Sequence, residues 1–443
     1  MGSHLTYPRW PDFSNPVEAQ PWDGSDDLLP PEERSDAMSQ PAPVWITGIS
    51  ACTPLGNSFD EVSSGLLNGT PAIHRVRGIA VDDHPSKIGG QVFHIPCPEN
   101  EDPTVFASLS RLERLTRFCL SRALREAGLW EDRQRLRIGI VLGLGAEYHQ
   151  PWEEEATRQG ITPSWQPSCV STSMAERARH VLGLTGPVAT VSAACASSNV
   201  AIAQARSWLR LGWCDVVLAG GCDMGVSPMS MAAFGNLRAL SRRNDAPEAA
   251  SRPFDRSRDG FVIGEGGVVF TIERAKDASR RGAVAHAVVA GYGSTSDAYH
   301  MVIPNPEPGP AARAVELALK DAGLNPEQVD YVNAHATSTP VGDTSEARVL
   351  TTVLGEHIRH VPVSSTKSMT GHLLTAAAAI EALACIAAMK NAAVPPTINL
   401  DDPDPECPLR HVPHQAQEHR VRAAVSNSFG FGGSNACLVL RAA

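Results

Sequence analysis

Cys195 stands where two sequence patterns meet, and that setting is what would make it reactive. The stretch Val191-Ser192-Ala193-Ala194-Cys195-Ala196-Ser197-Ser198-Asn199 ends a β-rich run and leads into Val200, Ile202, Ala203 and Ala205 at helical spacing. A cysteine there falls at a helix N-terminus, where free amide groups and the macrodipole stabilise a thiolate and lower its pKa. Small neighbours permit a sharp turn and the close approach of a substrate carbonyl. The competing assignment is a small buried hydrophobe, the commonest fate of a free cysteine.

Three further segments mix reactive groups with strand-end positions. Asn333-Ala334-His335-Ala336-Thr337-Ser338-Thr339-Pro340 follows an apolar strand and is too polar for core. Its threonines could line a polar channel, although a single histidine is more often a satisfied structural group. Ser364-Ser365-Thr366-Lys367-Ser368-Met369-Thr370-Gly371-His372 places a lysine and a second histidine ahead of an alanine-rich helix. A buried lysine needs a carboxylate, and Glu346 is the candidate; such a pair can also do no more than hold the fold. Ser426-Asn427-Ser428-Phe429-Gly430-Phe431-Gly432-Gly433-Ser434-Asn435 is glycine-rich, which implies unusual backbone conformations or close approach to a ligand. Its spacing fails as a dinucleotide fingerprint, as does Gly143-Leu144-Gly145. Cys407, His411, His414 and His419 match no zinc-ligand spacing and lie in a proline-marked loop.

The elements that must position these residues alternate. Val44–Ile49, Ile138–Leu142 and Val216–Ala219 read as buried strands, and Leu112, Leu115, Phe118, Cys119 and Leu120 carry helical spacing. Strands alternating with helices imply an α/β architecture with sheets buried on both faces. Ala287–Ser294 echoes the opening strand and turn, and a strand-like Val329–Val332 then precedes the His335 segment. The echo points to a duplicated unit of about two hundred residues per half. Residues 1–43, rich in proline and acids, read as a flexible leader.

Composition excludes several classes. The 443 residues carry a net charge of −10 with signs interspersed, which argues against nucleic acid as a partner. The ten cysteines lack framework spacing and read as reduced thiols of a cytoplasmic protein. The longest apolar stretch, Leu373 to Met389, is interrupted by Glu381 and short for a bilayer, so it reads as a core helix and no membrane is implied.

Taken together and in this order, the four segments resemble the thiolase-like condensing enzymes, specifically the elongating type II β-ketoacyl-[acyl-carrier-protein] synthases. Arg252-Pro253-Phe254-Asp255, Arg258-Asp259-Gly260-Phe261, Gly264-Glu265-Gly266 and Val394–Asn399 also look like this family, and the resemblance runs from Val44 to the C-terminus. A Cys-His-His set marks decarboxylative elongation, whereas initiating synthases carry asparagine where His372 stands.

The resemblance implies a five-layered αβαβα sandwich of two similar halves, residues 44–285 with the cysteine and 286–443 with both histidines. It implies Cys195 as nucleophile, His335 and His372 as donors to the enolate, and the N–H groups of Cys195 and Phe431 as oxyanion hole. Lys367, paired with Glu346, would fix His372. Thr337 and Thr339 would bind phosphopantetheine, Phe429 would contact the substrate, Phe431 would be a gating side chain beside the cysteine, and Asp297 would lie in a loop that moves with Phe431. A structural monovalent cation is implied near Asn333, Glu381, Ser426 and Asn427, with no other metal and no cofactor of the enzyme's own. The partner implied is an acyl carrier protein bearing acyl and malonyl groups, for which a local basic patch would be needed. The protein itself would be a homodimer, or a heterodimer with a non-catalytic subunit. Fatty-acid and polyketide elongation fit equally. The alternatives are a catalytically idle partner subunit, which the intact Cys195, His335, Lys367 and His372 oppose, and a synthase-like protein that never condenses. Ala336, Thr375 and Ala378 stand where the family usually has glycine, changes expected to narrow or re-aim the pocket.

Overall fold

A computed structural model describes residues 42–145, 147, 153 and 173–443. The expected leader lies outside the described residues except for its last two positions. The first half contributes five strands to the main sheet: β1 (Val44–Cys52), β2 (Ile138–Gly143), β3 (Val188–Val191), β4 (Val216–Met224) and β5 (Glu265–Arg274). Its helices include α1 (Arg111–Glu126), α2 (Ser197–Arg210) and α3 (Pro228–Asn236). The second half contributes β6 (Ala287–Ser296), β7 (Tyr331–Asn333), β8 (Pro362–Ser364), β9 (Arg410–His411), β10 (Ala423–Gly430) and β11 (Ser434–Arg441), with α4 (Gly309–Ala322), α5 (Pro340–Leu354) and α6 (Ala377–Asn391).

All of these strands join in one 11-stranded sheet of order β9-β8-β7-β10-β11-β6-β1-β5-β4-β2-β3. The order repeats itself. Numbering from β1 in the first half and β6 in the second, and leaving out the edge strand β9, each half reads third-second-fourth-fifth-first. In each, the third, second, fourth and first strands point one way, and the fifth, between fourth and first, runs antiparallel to both neighbours. The two first strands, whose sequences echo one another, pair at the seam, Trp45 opposite Val288 and Ile46 opposite Ala287. Each also carries glycine where an outer helix presses on it. A Cβ on Gly48 would lie 2.7 Å from the Ala123 carbonyl oxygen of α1, and one on Gly291 would lie 2.2 Å from that of Ala318 in α4.

The layers follow from which helices touch which strands. α1 covers one outer face, against β1, β5 and β4; α4 covers the other, against β6 and β11, with α5 packed beside it. Between the halves lie α2 and α6. α6 meets β10, β7 and β11 on one side and β5 and β4 on the other. A helix enclosed this way must be apolar all round, and every residue from Ala377 to Ala388 is buried, Glu381 included. Its alanines let the two halves of the sheet approach one helix. By length and composition Leu374–Asn391 could cross a membrane, yet 78% of it is buried inside the protein. The result is the expected αβαβα sandwich.

Candidate active site

The strand ends facing the junction of the halves carry the reactive groups. Cys195 occupies the turn between β3 and α2, one residue before the helix N-cap Ala196. Ala194 takes a positive φ of 48° there. The Ser197 hydroxyl donates to the Ala194 carbonyl at 2.7 Å and accepts from the Ala193 N–H at 2.9 Å, which holds the turn. Gly430, at the end of β10, packs onto the same turn. A Cβ on it would lie 3.0 Å from the Ala193 oxygen and 3.2 Å from the Cys195 nitrogen. Glycine is what lets the two halves close on the nucleophile.

Both histidines converge on this sulfur. His372 Nε2 lies 3.0 Å from Cys195 Sγ, and the His335 and His372 rings meet edge-to-face with centroids 5.5 Å apart. The Leu374 N–H donates to His372 Nδ1 at 3.1 Å, so the neutral ring carries its hydrogen on Nε2, towards the sulfur. The Lys367 ammonium lies 3.4 Å from His335 Nδ1, which fixes the same tautomer. Burial, and after it the Lys367 charge, holds both imidazoles well below the usual histidine range. Near neutral pH they are uncharged N–H donors aimed at one point.

Two expectations about Lys367 are corrected. Its ion pair is with Glu381 of α6, not Glu346, and it also donates to the His335 carbonyl at 2.5 Å. Glu346 is occupied elsewhere, accepting from the backbone N–H groups of His335 at 2.9 Å and Ala336 at 2.7 Å and from Asn427 Nδ2 at 3.1 Å. Lys367 therefore positions His335, while His372 is held by the backbone. Sequence offers two buried acids, and only packing shows that α6 brings one of them to the ammonium.

The expectation of a depressed cysteine pKa is also corrected. Burial pushes the Cys195 thiol up to about 11, opposed by the Lys367 ammonium and by the N–H groups of Phe431 and Cys195. Desolvation of the assembled site outweighs the helix start. The two amides that reach the sulfur are the pair expected to form an oxyanion hole.

A cavity of about 670 Å³ connects these groups to the surface. Thr337 and Thr339 line it with their hydroxyl oxygens 3.1 Å apart, next to Val341 and Ile303, which are exposed. Phe429 lies edge-on to His335, Phe261 edge-on to His372, and Phe431 meets Phe234 at a tilt. Asp297 accepts from Asn435 Nδ2 at 2.6 Å and from the Asn305 N–H at 2.9 Å, and its own N–H donates to the Gly433 carbonyl at 2.8 Å. A Cβ on Gly433 would lie 2.8 Å from that of Asp297. The glycine-rich loop and the Asp297 loop are thus one packed unit.

Comparison with known proteins decides the family. The N-terminal domain of β-ketoacyl synthases matches residues 42–278 and the C-terminal domain matches residues 286–401. The chain belongs to the β-ketoacyl synthase family. It is 38% identical to the 3-oxoacyl-[acyl-carrier-protein] synthase 2 of Synechocystis over 411 residues, 90% of this chain and 97% of that one. It is 36% identical to the Coxiella burnetii protein of the same name over 90% of this chain and 98% of that one. Among solved structures, a β-ketoacyl synthase from Burkholderia phymatum superposes with a TM-score of 0.82 at 32% identity, covering 91% of this chain and all of that one. A ketosynthase solved in complex with a type II polyketide synthase acyl-carrier protein gives 0.81 at 31%, with coverage of 91% and 100%.

Within this synthase the three unusual residues behave differently from one another. The Ala336 methyl does not meet the cavity; it is buried in the second-half core with Phe254, Ala347 and Val363. Ala378 is likewise buried, within α6. Thr375 does line the cavity, where its hydroxyl donates to Asp223 Oδ2 at 2.7 Å and accepts from the Gly145 N–H at 3.2 Å. The sequence analysis does not single out Asp223, a carboxylate near the end of the apolar strand β4. Asp343 is buried, and its carboxylate accepts from the N–H groups of Phe254 and Ser338.

The implied cation set fits its donors. Asn333 Oδ1, Glu381 Oε2, Ser426 Oγ and Asn427 Oδ1 are each buried without a hydrogen-bond partner, and Asn333 and Ser426 are register partners on β7 and β10. An all-oxygen set with one carboxylate suits a hard monovalent cation. Cys195, His335 and His372 also place ligand-type atoms within 4.8 Å of one another. That trio does not suit a metal, because both Nδ1 atoms accept hydrogens and both Nε2 atoms carry their own. The set Cys407, His411, His414 and His419 is dispersed: His411 bonds the Cys407 carbonyl and His419 that of Asp330.

Proposed function

We propose that the chain elongates acyl thioesters by decarboxylative condensation, taking acyl and malonyl groups from an acyl carrier protein. The observation that carries this is the convergence of a nucleophile-type sulfur, two uncharged N–H donors and two backbone amides at one end of a cavity that opens beside two threonine hydroxyls. Names of relatives support the same reading.

In the first half-reaction the Cys195 sulfur attacks the acyl thioester carbonyl. The N–H groups of Cys195 and Phe431 stabilise the tetrahedral oxyanion. The thiol proton leaves with the carrier's thiolate, giving acyl-Cys195 and free carrier. In the second, malonyl-carrier binds with its thioester oxygen between His335 and His372. Cleavage of the bond to the carboxylate releases carbon dioxide, and the two Nε2–H donors hold the enolate oxygen. The enolate carbon attacks acyl-Cys195, the sulfur departs, and it regains a proton from solvent. Products are the β-ketoacyl-carrier, carbon dioxide and the free thiol.

Lys367 and Glu381 keep His335 oriented, and Glu346 keeps its backbone in place. Thr337 and Thr339 line the route of the carrier's phosphopantetheine arm, while Phe429 and Phe431 bound the acyl site. Asn333, Glu381, Ser426 and Asn427 would hold a cation whose contribution is structural. No cofactor beyond the carrier's own arm enters this scheme. We place the enzyme in the cytoplasm as a homodimer; a heterodimer with an inactive subunit is the alternative. A catalytically idle role is disfavoured by the complete set of groups.

The deciding experiment is intact-protein mass spectrometry after exposure to a panel of acyl-carriers and then malonyl-carrier. An adduct on Cys195 that malonyl-carrier discharges as β-ketoacyl-carrier is the expected result. Absence of any adduct overturns the proposal.

A further inference from the structure

The turn that sets His372 is anchored one residue further on. Leu374, whose N–H donates to His372 Nδ1, takes a positive φ of 49°, a conformation that a leucine keeps only when its surroundings hold it there. Thr375 supplies the hold. Its N–H and its hydroxyl both donate to Asp223 Oδ2, at 3.1 and 2.7 Å, and its Oγ1 accepts from the Gly145 N–H at 3.2 Å. The Thr375 carbonyl accepts from the Ser198 hydroxyl. These bonds reach three elements of the first half: the end of β4, the start of α2 and the loop after β2.

Ser198 stands three residues beyond Cys195, and Thr375 three residues beyond His372. Their bond therefore joins the two segments that carry the 3.0 Å contact between His372 Nε2 and Cys195 Sγ. Room for it is made on β4, where a Cβ on Gly221 would lie 2.3 Å from Ser198 Oγ and 2.7 Å from the Thr375 carbonyl oxygen. Ser198, Asp223 and Thr375 are all buried, and hydrogen bonds in such surroundings fix geometry more firmly than they do in water. The Thr375 methyl packs on Gly145, where a Cβ would lie 2.6 Å from it.

Resting on the condensing reading above, we infer that Thr375, anchored by Asp223 and Ser198, is a positioning residue that places the His372 Nε2–H relative to Cys195 and so governs malonyl decarboxylation. It acts through the Leu374 N–H and touches neither reacting atom. A glycine at this position would keep the backbone bonds and lose the hydroxyl that locks the turn to β4.

The test separates the half-reactions in three variants. Ser198→Ala removes the donor to the Thr375 carbonyl, Thr375→Val removes the hydroxyl at nearly constant volume, and Thr375→Ser restores it. Decarboxylation of malonyl-carrier is read as labelled carbon dioxide, per chain that an acyl-carrier can acylate at Cys195 by intact mass, so loss of folded protein cancels. Ser198→Ala and Thr375→Val should each lower kcat for decarboxylation about tenfold and leave KM for malonyl-carrier within about twofold, the pattern of a displaced donor with binding intact. Thr375→Ser should recover most of kcat. Unchanged decarboxylation per competent chain in Ser198→Ala and Thr375→Val would overturn the inference. So would a change confined to KM or to which acyl chains are accepted, the mark of a residue that only walls the cavity. A Thr375→Ser protein as slow as Thr375→Val would overturn it as well. Wild-type protein that forms acyl-Cys195 and releases no carbon dioxide would instead remove the condensing reading, and this inference with it.

Discussion

The Leu374 backbone N–H donates to Nδ1 of His372 at 3.1 Å, and that single contact decides what the other ring nitrogen does. With Nδ1 occupied as an acceptor, the uncharged ring presents Nε2–H to Cys195 Sγ at 3.0 Å. His372 is thereby a donor to developing negative charge, not a base that draws the thiol proton.

His372→Ala should therefore slow malonyl-carrier decarboxylation by about 10²–10³-fold, the usual cost of one oxyanion donor. Transfer of an acyl group to Cys195 should stay measurable, because the amides of Cys195 and Phe431 remain. Labelled carbon dioxide released at the wild-type rate would contradict the assignment.

Cys195→Ser should abolish acyl-enzyme formation, seen as loss of the mass adduct at the wild-type rate. Cys195→Gln should keep malonyl decarboxylation and lose condensation, since no acyl group is then held for the enolate to attack. Condensed product from the Gln variant would show that another group carries the chain.

Because burial raises the thiol to about 11, alkylation of Cys195 by iodoacetamide should climb about tenfold per pH unit from pH 7 towards pH 10. The sign follows from the thiolate being the nucleophile: a raised pKa leaves little of it at neutral pH. A rate already on its plateau at pH 8 would mean that the helix start dominates after all.

Removing one partner of the Lys367–Glu381 pair strands the other in the central layer. Glu381→Ala should cost about 3–5 kcal/mol in denaturant unfolding. Replacing both, Lys367→Met with Glu381→Leu, should recover much of that stability and none of the activity. An unfolding midpoint unmoved by Glu381→Ala would show that the ammonium finds other company.

Gly291→Ala tests the strand–helix approach on the outer face. Its methyl would lie 2.2 Å from the Ala318 oxygen, so β6 and α4 must part. A loss of about 1–3 kcal/mol is expected, with the chemistry at Cys195 little changed in the protein that remains folded.

Legibility in the sequence followed range. Cys195, His335 and His372 could be singled out because each is a reactive group in a run of small or polar residues just beyond a strand. The duplication was visible as an echo because both first strands need β-branched residues and a glycine facing a helix. What escaped depends on packing. Glu346 and Glu381 are equally plausible partners on paper, and their roles separate only once α5 sets one under the His335 loop and α6 sets the other beside Lys367. The thiol pKa was misjudged because the helix start is written locally, whereas desolvation belongs to the closed site. Asp223 was missed because nothing near it in the chain reveals that Thr375, 152 residues away, will bind its carboxylate.

The repeated strand order has a consequence at the centre of the molecule. Cys195 follows the third strand of its half and precedes central helix α2; His372 follows the third strand of the other half and precedes central helix α6. The two residues therefore hold the same station in the two repeats, and their 3.0 Å contact spans the pseudo-twofold axis. One position, present twice, has been given opposite electronic duties, electron-rich sulfur in one copy and electron-poor N–H in the other. The asymmetry that chemistry requires is thus written into an otherwise symmetric scaffold at a single matched pair of turns.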